Sequence, residues 1–243
     1  VMGRCRGSFS EFAIMDVREA LPIPPRLSLE QAASVPLVFT VVHDMLFAKG
    51  HLQAGESLLV VGVTSGVGVA ALQTAKALGA RVLGTSGSSE KIARLKDIGL
   101  DVGIHTRAAD FSGAVMKATG GRGVDLVVNN VGGSMFAECV RTLAFEGRFA
   151  TIGHIDGITR SEMDVQTLHA KRLTLFGVSN SLRDASQRAT AVPGFRSDIL
   201  PFLADGRICP VVDRVFPFSE LPAAKAAMEA NDHVGKIVVR MDT

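Results

Sequence analysis

The chain has 243 residues, of which 47% are hydrophobic and 21% are charged, as in ordinary globular domains. Its formal net charge of +2 gives no reason to expect a nucleic acid or a membrane as partner, and charges or glycines interrupt every apolar run that could cross a bilayer. The three cysteines show no Cys-x-x-Cys spacing, so the sequence predicts neither disulfides nor structural zinc, and a cytoplasmic location is expected.

The N-terminal part predicts only short β-like pieces, because the cluster Pro22-Ile23-Pro24-Pro25 cannot lie inside a helix. Ser28 then predicts the N-cap of a helix that runs through Ser34. Apolar strands and helices alternate after it, which predicts a parallel sheet covered by helices on both faces. The predicted strands cover residues 57–61, 81–85, 102–104, 124–128, 148–152 and 173–178, and the predicted helices cover residues 67–78, 90–98, 111–119 and 136–143.

Beyond residue 206 the chain becomes β-like again, with a predicted helix over residues 221–230 and a last strand over 236–239. The two ends of the chain therefore differ in character from its middle.

A glycine-rich loop, Gly62-Val63-Thr64-Ser65-Gly66-Val67-Gly68, lies between the first strand of the alternation and the helix after it. Such glycines let a pyrophosphate approach the backbone and let the helix pack closely on the strand, while the N–H groups at the helix N-terminus face the phosphate charge. Strand, loop, helix and second strand follow in order within about 30 residues, the span of the motif. The sequence therefore predicts a dinucleotide site on a Rossmann fold.

The second strand ends at Ser86 and Gly87, where an NAD-specific site usually has an acidic residue for the ribose 2′-hydroxyl. No carboxylate is present there to repel a 2′-phosphate, and Lys91 can reach one as a point charge. The sequence thus predicts NADP rather than NAD. Lys91 also fits a solvated position in the first turn of a helix.

Two features are shared with the short-chain dehydrogenases. They are the glycine spacing of the loop and the segment Asn129-Asn130-Val131-Gly132. Members of that family use a tyrosine as proton donor, and this chain contains no tyrosine. The short-chain mechanism is therefore excluded.

Segments over nearly the whole chain follow the order found in another family. They are Phe9-Ser10-Glu11-Phe12-Ala13, Leu27-Ser28-Leu29-Glu30-Gln31-Ala32-Ala33, the glycine loop with residues 73–80, residues 125–132 and 147–153, and Gly235-Lys236-Ile237-Val238. In these segments the chain resembles the medium-chain dehydrogenase/reductases, specifically the zinc-independent NADPH:quinone oxidoreductase branch. The first segment of that family is absent, so the chain is expected to be N-terminally truncated.

The resemblance implies an α/β fold, a doubly wound parallel Rossmann sheet with the remnant of a GroES-like β-rich catalytic domain. Residues 28–205 would form the dinucleotide-binding domain, and residues 1–27 and 206–243 the remnant. It also implies a homodimer through residues 173–178, because this apolar, β-prone segment comes last in the sheet and is expected at its edge.

The resemblance assigns the cofactor-binding residues by position. Thr40 would lie near the nicotinamide, and Thr106 stands where many relatives have a tyrosine, so that Arg107 would supply the charge. His154 is expected to line the cofactor rather than to act as a base, and Phe176 fits a core position equally well. No metal ligands are expected. The complete cofactor-binding set is Thr40, Thr64, Ser65, Gly66, Val67, Ser86, Gly87, Lys91, Thr106, Asn130, Val131, Gly153, His154, Phe176, Gly177, Val178 and Ser179.

The implied activity is hydride transfer from NADPH to a small electrophilic substrate, a quinone or an α,β-unsaturated carbonyl, without zinc. No acid–base residue stands out, which fits a reaction whose proton comes from solvent. Two alternatives remain open. One is an enoyl-thioester reductase, because Ser65 before Gly66-Val67-Gly68 also occurs in that branch. The other is an NADPH-binding module without catalysis.

Overall fold

A computed structural model describes residues 1–241, and its central feature is a parallel sheet of six strands. The six strands are β1 (Ser57–Val61), β2 (Arg81–Ser86), β3 (Val102–His105), β4 (Val124–Asn129), β5 (Leu143–Thr151) and β6 (Thr174–Gly177). Their order across the sheet is β3-β2-β1-β4-β5-β6, and every neighbouring pair is parallel. Two further strands, β7 (Val212–Pro217) and β8 (Lys236–Arg240), form a separate parallel pair.

Helices connect the strands and cover both faces of the sheet. They are α1 (Leu29–Ala33), α2 (Pro36–His43), α3 (Gly66–Leu78), α4 (Ser89–Lys96), α5 (Ser112–Ala118), α6 (Phe136–Thr142), α7 (Val165–Lys171), α8 (Ala185–Ala189), α9 (Val192–Asp198), α10 (Leu200–Asp205) and α11 (Leu221–Glu229). A π-helical turn, Asp44–Ala48, continues α2. The predicted α/β fold with a doubly wound parallel sheet is confirmed. No helix within residues 1–241 is long and apolar enough to cross a membrane.

Strand β1 shows why the sheet is covered on both faces. All five of its residues are buried, and successive side chains point to opposite faces of a strand. Leu58 and Val60 belong to one buried cluster, which includes α2 and α3, whereas Leu59 and Val61 belong to a second cluster, which includes α5 and α6. A continuous apolar strand therefore builds two cores.

Local signals set the helix ends that the sequence predicts. The Ser28 side chain accepts a hydrogen bond from the backbone N–H of Gln31 at 3.1 Å, and the Gln31 side chain accepts one from the N–H of Ser28, which makes a capping box. Gly79 ends α3 with a left-handed φ of 93°. Ser28 as N-cap is thus confirmed.

Several helices were not predicted from the sequence. Helix α2 is apolar on nearly all sides, because Val38, Phe39, Val41 and Val42 are all buried, so the apolar stripe that marks a surface helix is absent. Pro36 occupies its first turn, where proline favours a helix start. Strand β5 also begins five residues earlier than predicted, at Leu143.

The two chain ends lie against the sheet unit. Antiparallel bridges join Met2 to Leu21 and Arg6 to Ile14. Met2 and Leu21 are buried in the same cluster as the first face of the sheet, and the Arg188 guanidinium contacts the Glu19 carboxylate at 2.8 Å. The division into domains at residues 27 and 205 stays a prediction.

Candidate functional site

The glycine loop is folded by its own hydroxyl groups. The Ser65 hydroxyl donates to the Gly62 carbonyl at 2.9 Å and accepts from the Gly68 N–H at 3.0 Å, so Ser65 is the N-cap of α3. The Thr64 hydroxyl lies 3.3 Å from the hydroxyl of Ser86 at the end of β2. The loop and the second strand end therefore meet, as the sequence predicts for a dinucleotide fold.

The two later glycines of the loop are required for different contacts. A Cβ at Gly68 would lie 2.5 Å from the Gly62 carbonyl oxygen, so this glycine permits close packing of α3 on β1. A Cβ at Gly66 would lie 2.7 Å from Cδ of Lys236 and 3.3 Å from the Gly235 carbonyl oxygen. The space beside Gly66 is thus filled by the C-terminal segment of the chain.

Lys236 is a residue to which the sequence assigned no function. Its stem lies over Gly66 at the N-terminus of the 13-residue helix α3, and burial lowers its pKa without any acidic partner. Within residues 1–241 its ammonium has no hydrogen bond or ion pair. A half-buried, unpaired cation beside a helix N-terminus favours an anion there, because both present positive charge to it. The only sequence signal was the segment Gly235-Lys236-Ile237-Val238.

A pocket of about 230 Å³ lies at the carboxyl ends of β1 and β2 and is called the β1–β2 pocket. Four predicted residues line it: Ser86, Gly87, Thr106 and Val131. Arg107 also lines it and lies over Gly87, where a Cβ would come within 2.6 Å of its side chain. Within the described residues the guanidinium of Arg107 has no hydrogen bond or ion pair.

Lys91 lies outside the β1–β2 pocket. Its ammonium donates to the Asn231 carbonyl, near Asp232 and Asp213, and burial lowers its pKa. The Thr106 hydroxyl donates to the Asp110 carboxylate at 2.6 Å and so stabilises the loop after β3. The free positive charge in this pocket is therefore that of Arg107.

The turn after β4 is held by a buried asparagine that the cofactor-binding set did not include. The Asn129 side-chain oxygen accepts from the N–H groups of Val131 and Gly132, and its amide donates to the Gly132 carbonyl at 2.8 Å. The next residue, Asn130, has a buried side-chain oxygen without a partner. An unpaired buried acceptor is costly unless a ligand donates to it.

A larger cavity of about 810 Å³ lies at the carboxyl ends of β5 and β6 and is called the β5–β6 cavity. Five predicted residues line it: Gly153, His154, Gly177, Val178 and Ser179. Ligands bind at this edge of open parallel sheets. Asp44, Lys49, Arg160 and Arg183, none of which the sequence singled out, line it too.

Thr40 and Phe176 line neither of these two cavities. The Thr40 hydroxyl donates within α2 to the Pro36 carbonyl at 2.7 Å, and Thr40 lines a small crevice that shares Arg183 with the β5–β6 cavity. Phe176 packs against the core beside α2 and α3, which agrees with the alternative prediction that its ring is part of the hydrophobic core. Its backbone pairs with Ala150 in β5.

The two cavities and the charged groups along this edge of the sheet fit an extended dinucleotide. The β1–β2 pocket and the β5–β6 cavity lie at the same edge of the sheet. Lys236 lies beside the N-terminus of α3, which follows β1, and Asn130, with its unpaired buried oxygen, follows β4, the strand between β1 and β5. The free cation of Arg107 is at one end and the larger cavity is at the other. Residues 1–241 contain no cluster of three or more His, Cys, Asp or Glu side chains that could hold a metal ion.

The sequence profile described as zinc-binding dehydrogenase matches residues 66–192, more than half of the chain. The chain belongs to this family. It is therefore an oxidoreductase of the medium-chain dehydrogenase/reductase superfamily, and the superfamily predicted from the sequence is confirmed. Membership of the quinone oxidoreductase branch stays a prediction.

Relatives of this chain include much larger proteins. The highly reducing polyketide synthase easB of Emericella nidulans is 34% identical over 223 residues, which are 90% of this chain and 9% of the synthase. The solved CurK enoyl reductase is 28% identical, with a TM-score of 0.78 over 94% of this chain and 67% of its own. A mycobacterial protein complexed with NADPH is also 28% identical, with a TM-score of 0.83 over 97% of this chain and 73% of its own.

Proposed function

We propose that the chain is an NADPH-dependent enoyl-thioester reductase. The alignment of 90% of the chain with part of a highly reducing polyketide synthase carries this proposal, and the similarity to CurK enoyl reductase supports it. The enoyl-thioester alternative thus has better support than the main expectation from the sequence, in which the acceptor is a quinone or an α,β-unsaturated carbonyl.

The chain's own residues would hold the cofactor along the edge of the sheet. The N-terminus of α3 and Lys236 offer positive charge to the pyrophosphate, and Arg107 offers it to a 2′-phosphate. The latter contact, together with Ser86 in place of an acid, favours NADPH over NADH. The NADPH complex of the mycobacterial relative agrees with this choice.

The β5–β6 cavity would receive the nicotinamide and the acceptor together. NADPH, when bound, supplies the hydride, and the chain orients the two partners and excludes competing reactions. Gly177 leaves the cavity wall open, since a Cβ there would meet no atom within 4 Å, while the buried Val178 adds an apolar side chain to the lining. His154 and Ser179 are exposed at the cavity, so water can reach it and supply the proton.

The test is NADPH oxidation by the purified protein with crotonyl-pantetheine, followed by its absorbance, with benzoquinone as the competing acceptor. We expect the thioester to be reduced to butyryl-pantetheine with the higher kcat/KM. Reduction of benzoquinone alone would contradict the proposal and would indicate a quinone reductase instead. Binding of NADPH without oxidation by either acceptor would instead indicate the non-catalytic module.

A further inference from the structure

The β5–β6 cavity has an unusual distribution of charge. Three cationic side chains, Lys49, Arg160 and Arg183, line it, together with one acidic side chain, Asp44. The Arg183 guanidinium lies 3.9 Å from the Asp44 carboxylate and donates to the Asn180 side chain at 3.3 Å, so this pair largely compensates itself. Among residues 1–241, Lys49 and Arg160 have no acidic partner.

Lys49 reaches the cavity because of an irregular backbone. The π-helical turn Asp44–Ala48 ends at Lys49. Such turns are rare in proteins as a whole, but those that occur are often located at functional sites. Its ammonium donates to the Gly177 carbonyl at 2.9 Å, at the end of the edge strand β6. This single contact fixes the charge at the cavity wall and leaves two of the three N–H donors free.

Arg160 faces the same cavity from the loop that follows β5. It is exposed, and within residues 1–241 its guanidinium makes no hydrogen bond or ion pair. Asp156, in the same loop, lies behind Gly132, where Ser134 and the Ile158 N–H hold its carboxylate. Glu162, two residues after Arg160, lines a separate pocket. Even with Asp156 counted, cations outnumber acids around the cavity.

We propose that Lys49 and Arg160 bind a negatively charged group of the substrate and so determine which acceptors this cavity takes. This inference rests on the proposed function, because it concerns the acceptor that shares the cavity with the nicotinamide. The guanidinium and the ammonium both suit carboxylate or phosphate oxygens. Two sources supply such an anion: a carboxylate on the acyl chain, or a phosphate on the arm that carries the thioester.

Three thioesters separate these sources. They are neutral crotonyl-pantetheine, crotonyl-phosphopantetheine with a phosphate on the arm, and glutaconyl-pantetheine with a carboxylate on the acyl chain. We expect kcat/KM for at least one anionic thioester to exceed that for the neutral one by about tenfold, as for a charge-assisted contact. The double variant K49Q/R160Q should lose this preference, because its kcat/KM should fall more for the anionic thioester than for crotonyl-pantetheine.

The single variant Arg160→Gln guards against misfolding, because the Arg160 guanidinium makes no hydrogen bond or ion pair within residues 1–241, and the variant should lose part of the preference. Lys96→Gln is the matched control, since Lys96 is an exposed and unpaired lysine on α4 that lines neither cavity. Equal handling of all three thioesters by the unaltered protein would overturn the inference. So would an equal loss on all three in the double variant.

Calorimetric binding of the saturated products keeps this inference separate from the proposed function. Butyryl-pantetheine, butyryl-phosphopantetheine and glutaryl-pantetheine need no turnover. If no thioester is reduced, the proposed function fails. Preferential binding of an anionic product that disappears in K49Q/R160Q would still support the anion site, whereas equal affinities would overturn it.

Discussion

Arg107 and Lys91 are the two cations near the end of β2, and they differ in how free their charges are. Arg107 lies unpaired over Gly87, whereas the Lys91 ammonium is held by the Asn231 carbonyl. Arg107→Gln should therefore weaken NADPH binding by about tenfold, the loss of one charge-assisted hydrogen bond, and Lys91→Gln should change it much less. Fluorescence titration of each variant with NADPH gives the affinities.

NADH is the internal control for this prediction, because it lacks the 2′-phosphate and its affinity should not change in either variant. Equal affinities of the unaltered protein for NADPH and NADH would contradict the assignment of NADP. A larger loss in Lys91→Gln than in Arg107→Gln would return the phosphate contact to Lys91.

Residues of the site were predictable where the signal was local. Ser65 and Gly68 act on the loop that contains them, and Ser86 ends a strand whose bounds the sequence shows. Lys236 and Arg107 were harder to assign. Lys236 meets Gly66 across about 170 positions of the chain, and Arg107 belongs to the next strand's loop, so only the folded sheet brings them to the site.

At the scale of elements, a carboxylate joins β1 to β4 at the end of the sheet opposite the site. Asp125 accepts from the Ser57 N–H at 2.7 Å and from the Arg122 guanidinium at 2.6 Å. Burial alone would raise the pKa of Asp125, but the hydrogen bonds from Arg122 and Ser57 outweigh it and lower the pKa to about 2. The ionised carboxylate therefore stabilises the folded state.

Asp125→Asn should lower the free energy of unfolding at pH 7 by about 2 kcal/mol, the equivalent of this pKa shift. Because the folded pKa lies below the unfolded one, the stabilisation is present above about pH 4 and is lost as the pH falls towards 2. Urea unfolding at pH 7 and pH 3 measures both effects. Asp97→Asn, at an exposed residue without an ion pair, is the control, and a variant at Asp125 as stable as the unaltered protein at pH 7 would contradict the prediction.

The bounds of helices and strands could be predicted where glycines end them or where one helix face is apolar. The bounds of elements that depend on tertiary contacts could not. Strand β1 and helix α3 lie almost where the sequence places them, because glycines bound them and one helix face is apolar. The π-helical turn Asp44–Ala48 carries no sequence signature, and it depends on how α2 packs on the sheet unit. The charged wall of the β5–β6 cavity therefore could not be foreseen.

At the scale of the whole molecule, β6 lies at the edge of the six-stranded sheet, as expected, and the proposed homodimer would pair this edge with its copy. The Val178 N–H donates to Thr151 in β5, so by alternation along the strand the N–H of Leu175 faces outward. Leu175→Pro removes that outward donor and should dissociate the dimer, whereas Leu175→Ala retains the donor and should remain dimeric.

Light scattering at micromolar concentration measures both variants. The unaltered protein should have about twice the monomer mass of 25.6 kDa. A monodisperse monomer, or an equal loss of association in both Leu175 variants, would contradict pairing through the backbone of this edge.

Isotope transfer can follow the hydride that we propose this chain moves from NADPH to the β-carbon of an enoyl thioester. NADPH carrying deuterium at either face of C4 is incubated with the protein and crotonyl-pantetheine, and the product is analysed by mass spectrometry and NMR. We expect one deuterium at the β-carbon of butyryl-pantetheine from one of the two labelled faces, and solvent hydrogen at the α-carbon. A product without deuterium from either labelled NADPH, or a product with deuterium at the α-carbon, would contradict hydride transfer to the β-carbon.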